Sequence, residues 1–236
     1  MPELVIADRD AGLASQRRVV VFDLDGTLVR GYCFASFLRG LLLRGPARAA
    51  ASLLSSVILV PLYLIPVTRD RAVSGFLWLA TVGMSADLFH ALAREFAREH
   101  AAEPRRIAVA LDQLAAHLRA GDRVIVATGS ADPVASAVCE ALGLSDIEVI
   151  AARLSRGRRA WRFLEGCLGA AKVRRLERAG IATPVACAYS DSDLDLPLLR
   201  AALRPVLVDP SPSALRRVRE ALGADLEVLR TSGGQA

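Results

Sequence analysis

From Arg105 onward the sequence switches back and forth between two apolar rhythms, and this alternation constrains the fold more than any other feature. Helical spacing over Ile107–Arg119 passes through Ala120-Gly121-Asp122 into a β-branched run at Arg123–Ala127. A helix over about Asp132–Leu142 follows, then short strands at Ile147–Leu154 and Arg159–Leu164 around the Gly157 turn. Helix Ala170–Ala179 stops at Gly180, strand Val185–Tyr189 follows, and helix Asp195–Leu203 comes next. Strand Pro205–Val208, helix Ser213–Leu222 and a strand near Leu226–Leu229 complete the series. Repeated strand–helix alternation predicts an α/β fold with a doubly wound, Rossmann-like parallel sheet. Ligands of such sheets sit beyond the carboxyl ends of the strands.

One further strand stands far upstream. Val19-Val20-Val21-Phe22 is a continuous apolar run, as expected of a strand buried on both faces. Between it and the alternating region the pattern is helical throughout: Phe34–Leu43, Ala47–Val67, about Ala72–Met84 and Ser85–His100, with Ser85 as the N-cap of the last. The reading is therefore an α/β core of residues 17–30 and 105–231, with an all-helical cap, 31–104, inserted after the first strand. Residues 1–16 are expected to form a flexible leader and 232–236 a disordered tail. Glu3, Asp8 and Asp10 make the leader unlike a signal peptide.

Composition removes several function classes. Aromatic residues are only 5%, too few for the stacking platforms of single-strand nucleic-acid binding, so no nucleic-acid partner is expected. Cys33, Cys139, Cys167 and Cys187 are scattered, which argues against a disulfide framework or a zinc site and suits a reducing cytoplasm. Of thirty basic residues only Lys172 is a lysine, and asparagine is absent. In a chain that has replaced lysine with arginine elsewhere, a remaining lysine can supply a compact point charge that a guanidinium cannot.

The strand ends carry the chemistry. Asp23 and Asp25 close the first strand, two residues apart and so on one side of an extended chain. Such a pair attracts a hard divalent cation, because unpaired carboxylates repel. Gly26 allows a tight turn and Thr27 can donate hydrogen bonds. Thr128-Gly129-Ser130 offers a hydroxyl and bare N–H groups, suited to a phosphate or simply to capping a helix from Ser130 or Asp132. Lys172 lies in the first turns of its helix. Asp191, Asp193 and Asp195 crowd together after Ser190, either around a cation or at a helix N-terminus that favours negative charge.

Acid pair, hydroxyl, helix-borne lysine and acid cluster, in that order over about Arg17–Leu199, resemble the haloacid dehalogenase-like hydrolase superfamily. Segments Arg18–Leu28 (RVVVFDLDGTL), Phe34–Leu43 (FASFLRGLLL), Ala127–Ser130 (ATGS), Cys167–Glu177 (CLGAAKVRRLE) and Tyr189–Leu199 (YSDSDLDLPLL) are similar to its phosphoserine-phosphatase-like branch, and most to the phosphatidylglycerophosphatase C family. The resemblance implies a phosphatase in which Asp23 is the nucleophile and forms an aspartyl-phosphate, and Asp25 the general acid and base. It further implies that Thr27, Thr128, Gly129, Ser130 and Lys172 bind the phosphoryl group. Mg²⁺ would be held by Asp23, Asp25 through its carbonyl and Asp191, with Asp195 in support. Ser190 stands where many relatives have glycine. Asp193 has no role in that pattern and reads as a solvated neighbour.

Within the insertion, residues 49–67 carry no charge and would reach about 28 Å as a helix, close to a bilayer core. Arginines flank both ends (Arg39, Arg44 and Arg48 before, Arg69 and Arg71 after), and Pro61 and Pro66 are expected to interrupt the helix. A single crossing would separate Asp23 from Thr128. The expectation is an interfacial or re-entrant hairpin in the cytoplasmic leaflet of the cell membrane, with a phospholipid phosphomonoester as substrate. The alternatives are a soluble cytoplasmic phosphatase of phosphoserine or another small metabolite, with 49–67 buried in the cap, and a non-catalytic phospho-acceptor domain. Arg153, Arg156, Arg158, Arg159 and Arg162 form a second basic cluster.

Overall fold

The structure, a computed structural model, describes residues 17–65 and 67–231; the leader 1–16, the tail 232–236 and Pro66 lie outside the described residues. Strand β1 (Val19–Phe22) is almost wholly buried, as its unbroken apolar run requires. Four helices follow: α1 (Cys33–Leu42), α2 (Pro46–Leu64), α3 (Arg69–Thr81) and α4 (Ala86–His100). The alternating region then supplies α5 (Ala108–Arg119), β2 (Arg123–Ala131), α6 (Val134–Ala141), β3 (Glu148–Arg156), β4 (Trp161–Glu165), α7 (Ala170–Arg178) and β5 (Val185–Ser190). A 3₁₀ turn over Asp193–Asp195 leads to α8 (Leu196–Arg200), β6 (Ala202–Val208), α9 (Pro212–Leu222) and β7 (Glu227–Leu229).

The strands form one sheet in the order β4-β3-β2-β1-β5-β6-β7, parallel except for the β3–β4 hairpin. The α/β doubly wound fold expected from the alternation is present. β1 lies at its centre, and the chain winds to β2 on one side and to β5 on the other. That reversal opens a crevice at the carboxyl ends of β1 and β5, where Asp23 and Asp191 lie.

Beneath the crevice a polar network crosses the core. Phe22 and Tyr189 stack at 4.1 Å between ring centres. The Tyr189 hydroxyl is 2.9 Å from His117 Nε2, and His117 Nδ1 is 2.7 Å from Asp122. Arg18 closes the network with two N–H donors on the same carboxylate, at 2.9 and 3.1 Å.

The two ends of the helical insertion are zipped together. Arg30 N–H donates to Arg105 O at 2.7 Å and Ile107 N–H to Leu28 O at 3.0 Å. Ser85 caps α4 by accepting from Leu88 N–H at 3.2 Å, as its position predicts. α3 lies along the outer edge of β4: Trp161 N–H donates to Thr81 Oγ1 at 3.0 Å and Phe163 N–H to Ser74 Oγ at 3.2 Å.

Several expectations need correction. The chain stays extended through Thr128-Gly129-Ser130 to Ala131, which sets aside the helix-capping alternative, and the next helix starts at Val134 and not Asp132, because β2 keeps pairing with β3 as far as Ala152 across a register shift. Ala202 and Leu203, read as helical, begin β6, since Val185 pairs with Ala202. Pro61 does not interrupt α2; the helix runs on for three residues, its missing donor leaving one carbonyl of the preceding turn unbonded.

Candidate active site

The β1 strand delivers Asp23 into the crevice, where its backbone N–H donates to Tyr189 O at 2.9 Å. The chain then turns sharply, with Gly26 at φ +81° and Gly26 N–H bonded to Val29 O at 2.8 Å. The turn matters for more than backbone freedom. A Cβ on Gly26 would lie 2.3 Å from Asp191 Oδ2, so only glycine lets the Asp191 carboxylate rest against this loop.

Lys172, in the first turn of α7, is fully buried. Its ammonium donates to Asp23 Oδ1 at 2.8 Å and to Asp195 Oδ2 at 2.6 Å. Burial works against that charge, but the two carboxylates outweigh it and raise the lysine pKa. Burial also pushes the Asp23 carboxyl up; Lys172 opposes the shift, while Asp195 and Asp25 add to it. Ser190 Oγ donates to Asp195 Oδ2 at 2.9 Å, whereas Asp195 Oδ1 is buried with no partner among the described residues.

A second chain of contacts runs from Asp25. Its Oδ1 accepts from Cys33 N–H at 2.7 Å, at the N-terminus of α1, and its Oδ2 accepts from Ser130 Oγ at 2.5 Å. Ser130 Oγ in turn accepts from Phe34 N–H at 3.0 Å, and Ser130 N–H donates to Thr128 Oγ1 at 3.0 Å. Both donors of Ser130 are therefore engaged inside the protein, in place of the phosphate contacts expected of them. The Thr128 oxygen is an acceptor here, which leaves its hydroxyl proton free to donate. The Leu168 side chain packs against the bare Gly129 backbone, and a Cβ at that position would require it to shift. Thr27 is fully enclosed and its hydroxyl has no partner among the described residues.

Asp191 makes no ion pair among the described residues. Its carboxyl is pushed up to about 6, chiefly by burial, with Asp195 and Asp25 adding and its own backbone N–H and Lys172 opposing. Asp193, expected to be solvated, instead takes two hydrogen bonds from Arg217 on α9, at 2.6 and 3.0 Å. It fastens the acidic loop and adds no charge to the crevice.

The donor set suits Mg²⁺. No three ligating side chains close into a cluster among the described residues. However, Mg²⁺ is commonly held by one or two carboxylates while retaining several waters. An under-compensated Asp191 cradled against Gly26 and an orphaned Asp195 oxygen are what such a site leaves when read without its ion. No thiolate competes as nucleophile: burial pushes Cys139 up to about 12 and Cys167 to about 11.

The structure brings the sequence-predicted Asp23, Asp25, Thr128, Lys172, Asp191 and Asp195 to the carboxyl ends of the central strands. Sequence reasoning missed Cys33, Leu168 and the His117–Asp122–Tyr189 network, for which no spacing signal exists.

Similarity to known proteins agrees with this geometry. Residues 20–200 match the family model of haloacid dehalogenase-like hydrolases. A protein of unknown function from Bordetella pertussis Tohama I has 27% identity and a TM-score of 0.72, covering 91% of this chain and 99% of that one. A substrate-bound phosphoserine phosphatase complex has 15% identity and a TM-score of 0.56, covering 91% and 93%. A phospho-aspartyl intermediate analogue of phosphoserine phosphatase has 18% identity and a TM-score of 0.55, covering 91% and 94%. With most of its length matched by the family model and the buried lysine between Asp23 and Asp195, the chain belongs to the haloacid dehalogenase-like hydrolases.

Proposed function

We propose that this chain is a Mg²⁺-dependent phosphomonoester hydrolase working through an aspartyl-phosphate on Asp23. One observation carries the reading: the buried Lys172 ammonium bridges Asp23 and Asp195 at 2.8 and 2.6 Å. A point charge there neutralises both the nucleophile and an incoming phosphate, which is what phosphoryl transfer chiefly requires.

An Asp23 oxygen attacks phosphorus while the bond to the leaving alkoxide breaks. Asp25, as its acid, gives that oxygen a proton. Asp25 then takes a proton from water, whose oxygen attacks the acyl-phosphate. Inorganic phosphate leaves and the Asp23 carboxylate is restored. Thr128 and the Gly129 backbone bind phosphoryl oxygens, and Ser130 sets the direction of Asp25. Mg²⁺, when bound by Asp23, Asp191 and the Asp25 carbonyl, supplies charge neutralisation to the phosphoryl oxygens. Asp195 holds Lys172 in place.

The similarity to phosphoserine phosphatases favours a small phosphorylated metabolite as substrate. A specific observation supports a second reading, a lipid phosphomonoester such as phosphatidylglycerophosphate at the cytoplasmic leaflet. The nineteen-residue α2 buries only Ser52 and exposes Leu53, Leu54, Val57, Ile58 and Leu64. Arginines stand at both ends of that apolar surface, placed for anionic headgroups.

Phosphate release from phosphoserine, glycerol 3-phosphate and phosphatidylglycerophosphate in vesicles tests both. Turnover is expected with Mg²⁺, lost on chelation and lost in Asp23→Asn. Lys172→Arg is also expected to fail, since a fork cannot replace a point charge in a closed site. Full activity of Asp23→Asn would refute the mechanism. Release from the soluble esters alone would refute the lipid reading.

A further inference from the structure

A hollow of about 430 Å³ lies between α1 and α4, separate from the carboxylates of the crevice. Its rim carries Ser36 and Arg39 from α1, Glu99 from α4 and Arg105 from the chain beyond it. His100 lines it too. That side chain is only 5% exposed, and its Nε2, without a hydrogen-bond partner among the described residues, is closed to solvent, so the hollow meets another part of the ring. Neither Arg39 nor Arg105 is paired with a carboxylate among the described residues, and both are exposed. Glu99 offsets one of the two positive charges and leaves an excess of one.

The hollow is near the crevice. A Cβ on Gly31 would stand 3.6 Å from Arg105 Nη1 and 3.7 Å from His100 Cε1, so the Gly31 backbone lies directly beside two of its lining residues. Two residues on, Cys33 N–H holds the Asp25 carboxylate at 2.7 Å. Two residues span at most about 7 Å, the length of a small metabolite.

We infer that this hollow is an anion subsite, in which Arg39 and Arg105 clamp a carboxylate or phosphate group and Ser36 Oγ–H donates to it. The size suits a small organic anion. A guanidinium matches either oxyanion geometry, and such charge-assisted contacts are stronger than neutral ones. Resting on the phosphomonoesterase reading, the anion is a second charged group of the substrate; a free effector anion would use the same chemistry.

Two three-carbon esters separate these sources, 3-phosphoglycerate and glycerol 3-phosphate, which differ by a carboxylate against a hydroxymethyl group. The expected result is a KM about tenfold lower for 3-phosphoglycerate. That advantage should be lost in Arg39→Gln/Arg105→Gln, whose KM rises far more for 3-phosphoglycerate than for glycerol 3-phosphate. Gly40→Leu is a second variant. Gly40 lines the hollow, and a Cβ there meets open space, so the change fills the mouth without strain in α1. It should remove the same advantage, and a thermal melt confirms its fold.

Equal KM values together with a malonate effect on glycerol 3-phosphate turnover, absent in the double variant, would assign the subsite to a free anion. Equal KM values with no malonate effect, or effects that persist in both variants, would overturn the proposal. Should neither ester turn over, the phosphomonoesterase reading fails. The hollow is then judged by calorimetry on Asp23→Asn, where tighter binding of 3-phosphoglycerate must depend on Arg39 and Arg105.

Discussion

Ser130 shows how a single hydroxyl sets the direction of an acid 105 positions away in the chain. It accepts from Phe34 N–H and donates to Asp25, so one side chain ties β2, α1 and the β1 loop together. Ser130→Ala removes that tie and leaves Asp25 held only by Cys33 N–H. Its kcat on an alkyl phosphate should fall about tenfold, part of what a positioned general acid contributes. On 4-nitrophenyl phosphate, whose leaving group needs no proton, the loss should be much smaller; equal losses on both would refute the positioning role. The placement of Asp23, Asp25 and Lys172 at the crevice was legible because strand ends and composition mark them. That of Ser130 was not, because hydrogen bonds between distant segments leave no local pattern. The same holds for His117, whose partners Asp122 and Tyr189 are 5 and 72 residues away.

At the scale of elements, periodicity recovered every strand of the sheet and every helix of the insertion. It failed where tertiary pairing overrode local preference. β6 begins at Ala202 because a neighbouring strand is there to receive it, and β2 continues through Gly129 for the same reason. α2 is the element whose environment least explains its composition. If its outer face sits in lipid, then Leu54→Gln/Val57→Gln/Ile58→Gln should weaken sedimentation with anionic vesicles by at least about tenfold, because each buried aliphatic side chain contributes about 1.5 kcal/mol or more. The far-ultraviolet circular dichroism should be unchanged. Equal sedimentation of the variant would remove the support α2 gives to the lipid reading.

For the molecule as a whole, the network under the crevice links stability to pH. Burial pulls the Asp122 carboxyl up, but His117 and Arg18 outweigh it and hold it below the usual carboxylate range. As pH falls, the unfolded chain is protonated here before the folded one. The contribution is therefore complete above the ordinary aspartate value near 3.9 and is lost as pH drops through the lower folded value. Urea unfolding between pH 3 and 7 should show an acid limb that is shallower in Asp122→Asn, with lower stability at pH 7; an unchanged limb would assign the acid sensitivity to other carboxylates. The α3 hydroxyls on β4 have a different consequence. A sheet with seven strands has two borders at which a foreign strand could add. At β4 the outward N–H groups of Trp161 and Phe163 are already taken by Thr81 and Ser74, and at the other border β7 offers three residues. The molecule thus denies cross-β templating on one flank by a covering helix and on the other by brevity, which guards a largely apolar sheet against ordered aggregation.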